Sequence, residues 1–168
     1  MTFVVPFDGT ELAEAALIRA VEFSTVLDEP ITAVVVVPNL SDRYARERGW
    51  IGDDESFDLR TILSQLQRTV ADIAPEANFQ HIVVDRRAPA GSIATRLRNF
   101  ARQADASMVF IGSENAGQIV ASVSSVGAKV AAENTYDVVI VRNRGPAKAT
   151  KLSERSPYQG PDGDSRNR

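Results

Sequence analysis

The 168-residue chain contains no cysteine, which excludes disulfides, thiolate metal sites and a cysteine nucleophile. Its single histidine, His81, excludes a metal site built from several histidines and is thin material for a serine triad. No Gly-x-Ser-x-Gly elbow is present. Gly-x-Gly-x-x-Gly and Gly-x4-Gly-Lys-Ser/Thr, the two standard phosphate fingerprints, are missing as well. No apolar run approaches the roughly 20 residues of a membrane span. The segment Met1 to Phe7 enters a strand directly, with no charged stretch and long apolar run before it. We therefore expect no signal peptide, no membrane association and a cytoplasmic protein.

Neither sign of charge dominates: 19 Lys/Arg stand against 22 Asp/Glu. From Gly145 to Arg168 there are five basic and three acidic residues, which leaves 14 against 19 in the first 144. A mildly acidic body argues against nonspecific nucleic-acid binding. Arg86, Arg87, Arg96, Arg98 and Arg102 form a basic group without interleaved aromatics, which reads as a solvated helix face. Asp53-Asp54-Glu55 reads as a solvated loop or helix cap and not as a metal site.

What is present is an alternation of apolar runs and helical periodicities. The first strand is Thr2 to Phe7, closed by Asp8-Gly9; Pro6 argues against a central strand, although near the strand's exit a missing N–H costs less. Thr10 is placed to cap a helix, with Glu11 and Glu14 in its first turn and Ala13, Leu17, Ala20, Val21 and Ser24 on one face. Asp28-Glu29-Pro30 ends it. Ile31 to Val37, with five branched apolar residues and no charge, suits a strand buried on both faces. Leu40 to Ser56, with the only tryptophan, Trp50, reads as long, polar and irregular, with a short helix in part.

Leu59, Ile62, Leu63, Leu66, Val70 and Ile73 give the clearest helical stripe. Asn78 to Val84 reads as a more polar edge strand. A helix over Pro89 to Gln103 follows, then a strand over Ser107 to Ile111, a helix lined by Val123, Val126, Gly127, Val130 and Ala131, and a last strand over Val138 to Val141. Strands alternating with helices imply an α/β fold on an open parallel five-stranded sheet. From Gly145 on, the composition predicts a disordered tail, leaving one domain over residues 1–144.

In an open parallel sheet ligands sit at the carboxyl ends of the strands, near the switch in strand order. Phe7-Asp8-Gly9, Val36-Val37-Pro38 and Gly112 to Ser125 all fall there. In the last of these a glycine turn runs toward a helix start with Ser122, Ser124 and Ser125, a natural place for an anion. The bland alternative is an ordinary βα loop, with Ser124 and Ser125 capping the helix.

Five segments in order resemble the universal stress protein family. They are Phe3 to Thr10, Val34 to Pro38, Ala88-Pro89-Ala90-Gly91-Ser92-Ile93, Ala104 to Ser113, and Ser124 to Val130 followed by Tyr136 to Val141. The resemblance implies helices on both faces of a sheet ordered 3-2-1-4-5, and a non-enzymatic stress-response module that in one branch of the family binds ATP. It places Asp8 and Val36 where the adenosine is held. It implies a Gly-x2-Gly-x9-Gly-Ser/Thr phosphate loop, of which Gly112 is kept. Asn115 replaces the second glycine, with a register through Gly117 as an alternative. Ser124 replaces the third, Ser125 matches the Ser/Thr, and the spacing is one residue short. The glycine usual before the third helix falls on Arg87. Glycines there let backbone approach phosphates closely and adopt positive φ.

The expectation is an adenine end retained and a phosphate end degraded, so that ATP or another adenine nucleotide binds weakly, in altered form or not at all. The resemblance also implies a homodimer through Val138 to Val141, with protein partners beyond it. The alternatives are a homodimeric interaction module with an empty pocket and a slow ATP hydrolase using Glu114.

Overall fold

The computed structural model describes residues 1–112 and 135–143. The elements in chain order are β1 (Thr2–Pro6), α1 (Glu11–Leu27), β2 (Ile31–Pro38), α2 (Asp42–Glu47), α3 (Leu59–Ile73), β3 (Asn78–Val84), α4 (Ala90–Gln103), β4 (Ala106–Gly112) and β5 (Asp137–Val141). The strands form one parallel sheet in the order β3-β2-β1-β4-β5. The helix expected over Val123 to Ala131 and the tail from Gly145 lie outside the described residues.

Strand alternation divides the core between the two faces. Phe3, Val5 and Phe7, with Ala33, Val35 and Val37, pack under Ala13, Ala16, Leu17 and Ala20 of α1 and Ile62, Leu66 and Val70 of α3. Val4, Val34 and Val109 face the other way, against Ala101, Leu97 and Phe100 of α4. β1 and β2 are buried along their whole length, as branched runs in a parallel sheet must be. Phe110 centres the first face, with its ring centroid 5.2 Å from Phe3 and 5.3 Å from Phe23.

Pro6 lies in the central strand, near its exit, where a missing N–H is expected to cost less. The pairing explains why it is tolerated. β1 pairs with β4 from Thr2↔Ala106 to Val4↔Val109, with a register shift between Thr2 and Phe3. That recorded register stops before Pro6, which is matched only with Val34 of β2. Ladder bonding to β2 continues with Phe7, whose N–H donates to the Val34 carbonyl at 2.8 Å. The missing donor thus falls where pairing on the β4 side has ended.

α1 begins at Thr10, whose side chain accepts from the Ala13 N–H, and ends at Asp28 in the left-handed region. α3 opens on an Asp58 cap. β3 is the half-exposed edge strand expected of its composition, and His81 is exposed in its middle.

Residues 40–56 are more ordered than their composition suggests. Ser41 caps α2 by accepting from the Tyr44 N–H, and Asp42 accepts from the Phe57 N–H at 3.0 Å. The Arg46 guanidinium donates to the Glu55 carbonyl at 3.2 Å. Ala45, Trp50 and Ile51 are buried in the α1/α3 face of the core. Gly49, with φ of +73°, turns the chain inward after α2, a conformation open to glycine and costly for most other residues.

Candidate functional site

Asp8 follows β1 directly and its side chain is nearly buried, 12% exposed. The order of strands reverses here, because β1 lies beside β4 as well as β2. Loops on either side of such a switch diverge and leave a crevice at the carboxyl ends of the strands. The Asp8 carboxylate is held by the protein on both oxygens. Its Oδ1 accepts from the Thr10 N–H at 3.0 Å and from the Thr10 hydroxyl at 2.6 Å. Its Oδ2 accepts from Arg48 Nη1 at 2.5 Å. Thr10 links this cluster to the helix start, since its Oγ1 also accepts from the Ala13 N–H at 3.3 Å.

Arg48 comes from 40 residues further along the chain. It closes α2, its backbone N–H donating to the Tyr44 carbonyl at 3.0 Å. Its guanidinium carbon lies 5.0 Å from the centroid of the Tyr44 ring, within reach of a cation–π attraction. Two residues on, the Trp50 indole N–H donates to the Asp8 backbone carbonyl at 2.7 Å, and its ring meets Tyr44 edge-on at 5.5 Å. Burial pushes the Tyr44 phenol above its ordinary value, with Arg48 pulling partly the other way. Gly9, at φ of +78°, sits beneath: a Cβ there would come within 3.0 Å of Leu66 Cδ2 and 3.7 Å of Trp50 Nε1.

Gly112 ends β4 and faces the first turn of α1. A Cβ on it would lie 2.9 Å from the Leu12 carbonyl carbon and 2.9 Å from Leu12 Cβ. Its φ is outside the left-handed region, so the position demands space and not an unusual backbone angle. Asp8 and Gly112 therefore meet the same helix start, Asp8 through Thr10 and Gly112 through Leu12. Val36 is buried on the neighbouring strand, matched with Ile82 of β3, and by alternation shares the face of Val34. Asn115, Gly117, Ser124 and Ser125, together with Glu114, lie outside the described residues.

Three residues of the cluster around Asp8, namely Tyr44, Arg48 and Trp50, were not singled out as site residues in the sequence. One signal did point to them. A lone tryptophan in a polar stretch is a candidate for burial, and a buried indole N–H needs an acceptor.

Elsewhere the basic group of α4 makes local contacts. Arg98 donates to Thr95 Oγ1 at 3.3 Å and Arg102 to Asn99 Oδ1 at 3.2 Å. Asp53, Asp54 and Glu55 are exposed. Among the described residues no helix is long and apolar enough to cross a membrane.

Comparison with known proteins agrees with this architecture. A universal stress protein from Archaeoglobus fulgidus superposes with a TM-score of 0.50 at 16% identity, over 84% of this chain and 98% of that one. The universal stress protein UspA from Lactobacillus plantarum gives a TM-score of 0.50 at 18% identity, over 84% and 97%. The Archaeoglobus fulgidus protein in complex with dAMP aligns at 20% identity over 84% and 98%, with a TM-score of 0.47. No similar protein is found among curated sequences. The family model "Universal stress protein family" matches residues 1–142. With that match over most of its length and the parallel sheet in 3-2-1-4-5 order, the chain belongs to the universal stress protein family.

Proposed function

We propose that the chain is a non-enzymatic, cytoplasmic stress-response module that binds an adenine nucleotide at the carboxyl ends of β1, β2 and β4. The observation that carries this reading is the convergence of Asp8 and Gly112 on one helix start at the strand-order switch. Asp8 and Val36 would hold the adenosine, with Gly112 on the side of the phosphates. A nucleotide sitting there would have a nearly buried carboxylate at one end and the N-terminal turn of α1 nearby, a favourable place for negative charge.

The test is acid extraction of the purified protein to identify any nucleotide it carries, with calorimetric titration of ATP, ADP and AMP in magnesium. A nucleotide that is bound by the native chain and lost in Asp8→Asn supports the reading. Asparagine keeps an oxygen for Thr10, so the helix cap survives. No nucleotide, and no titration signal up to millimolar concentrations, overturns it and leaves a module that acts through protein contacts alone.

The same reading includes a homodimer through β5. That strand is at the sheet edge, and Val138 is 39% exposed. An apolar edge strand needs covering. Ile140→Asp is expected to halve the mass seen by light scattering while the circular dichroism is kept. A monomeric native protein, or a dimeric variant, overturns this part.

A further inference from the structure

We infer that the free edge of β3 is a self-complementary surface, which pairs with β3 of a second copy of this chain in antiparallel register centred on His81. The inference is independent of the nucleotide reading and concerns the sheet edge opposite β5.

An edge strand presents unpaired N–H and C=O groups, and proteins blunt it with charge, proline, a bulge or shortness. β3 uses none of these devices. Its seven residues, Asn78 to Val84, include no charged residue and no proline. Its register with β2 runs without a shift from Thr32↔Asn78 to Pro38↔Val84. His81 is exposed at its centre, and Val83 is left 40% exposed.

The backbone directions decide which groups are open. The Val84 carbonyl points inward, accepting from the Asn39 N–H at 2.8 Å. Backbone groups alternate in direction along a strand, so Gln80 and Ile82 also point toward β2. Phe79, His81 and Val83 therefore present their N–H and C=O to the open edge. A second β3 laid antiparallel, with His81 against His81, sets Phe79 against Val83 on both sides of the centre. All three are then pairs of outward-pointing residues, each able to exchange two backbone hydrogen bonds. The Phe79/Val83 pair joins an aromatic to a β-branched side chain, a favourable cross-strand combination, and covers the exposed valine. A slip of one residue sets outward groups against inward ones and loses the ladder.

Charge selects a second copy as the occupant. Glu76 and Arg86 stand five residues before and five after His81, and both are exposed. Neither makes an ion pair among the described residues. Antiparallel pairing brings Glu76 of each copy to the end where Arg86 of the other lies, and two-fold symmetry repeats this at both ends. The nearby Asp85 carboxylate accepts from the Arg87 N–H of its own chain at 2.7 Å. Parallel pairing would instead set Glu76 beside Glu76 and Arg86 beside Arg86. A contact made of one strand pair belongs with the small, transient interfaces below about 1,200 Å². It is therefore absent at the dilution where the β5 dimer is counted and appears as concentration rises.

The experiment follows mass by sedimentation equilibrium over increasing protein concentration, in the Ile140→Asp chain and in that chain carrying His81→Glu or His81→Lys. Ile140→Asp alone is expected to pass from monomer to dimer and no further. Each charged variant sets like charges opposite each other at the two-fold and should associate about tenfold or more weakly. An equimolar mixture of the two should recover the association, because residue 81 faces itself only in this register. A parent chain that stays monomeric at every concentration overturns the inference. So does a His81→Glu protein that associates like its parent, or a mixture that associates no better than its components. Where Ile140→Asp does not fold, the same loss and recovery is read in the otherwise native chain, on its largest species.

Discussion

Substituting Gly112 by alanine separates what the glycine does for the fold from what it would do for a ligand. The added Cβ would stand 2.9 Å from the carbonyl carbon and from Cβ of Leu12, and 3.0 Å from its carbonyl oxygen. Carbon atoms in contact prefer about 3.5–4.0 Å, so the deficit is roughly 0.6–1 Å, and two of the three opposing atoms are backbone. Rotamer change cannot relieve it. Either the first turn of α1 moves, with the Thr10 cap and its bonds to Asp8, or the end of β4 moves, with fully buried Ile111. Overpacking of this kind costs about 1–3 kcal/mol, which for a domain of this size lowers Tm by roughly 3–10 °C.

The assay is equilibrium unfolding in urea on nucleotide-free protein, with the m-value checked for constancy. Gly91→Ala is the control. Gly91 lies in α4 with nothing within 4 Å of an added Cβ, and alanine there should gain about 0.5–1 kcal/mol through helix propensity. A Gly112→Ala protein within about 0.5 kcal/mol of native stability would refute the packing argument and leave anion binding as the reason for a glycine at that position.

Two further outcomes follow from the cluster around Asp8. Trp50→Phe keeps a ring against Tyr44 but removes the donor to the Asp8 carbonyl, and should cost about 1–3 kcal/mol in the same urea assay; native-like stability would show that this bond contributes nothing. Tyr44 sets a pH dependence at the alkaline end. Burial raises its folded value above the unfolded value of 10.0, so the folded state holds the proton more tightly. The stability this gives is complete below about pH 10 and is lost as pH rises through the higher folded value. Thermal melts from pH 8 to 11.5 should show Tyr44→Phe losing less stability than the native chain over the last two pH units, and parallel curves would refute it.

The sheet and its helices were legible because their signals are local. The run of β2, rich in branched apolar residues, and the stripe from Leu59 to Ile73 each specify an element without reference to the rest of the chain. Pro6 was ambiguous as a signal, because the tolerance of a proline depends on where a neighbouring strand's register stops, and that register is set by residues about a hundred positions away. Asp8 was found through resemblance, but its surroundings were not. Arg48 and Trp50 reach it across 40 and 42 residues, from a segment whose polar composition resembles any surface loop. Gly112 was noticed as a ligand-loop glycine, whereas its contact with Leu12 depends on how closely α1 crosses the end of β4.

The position of β1 has a consequence for synthesis on the ribosome. This strand is made first and acquires its β2 neighbour soon after, but its other flank is completed only by β4, whose Ser107 hydroxyl reaches the Thr2 carbonyl from 105 residues away. At translation rates of about 5–20 residues per second, the chain from the end of β2 to the end of β4 takes on the order of 4–15 s to be made. During that interval the nascent molecule carries an open and mostly apolar strand edge. The irregular register at Thr2/Phe3 and the missing N–H of Pro6 leave only a short stretch of that edge with a regular pattern for another chain to pair with. Interruptions that look like flaws in the finished sheet are the features that discourage edge-to-edge association while it is still half built.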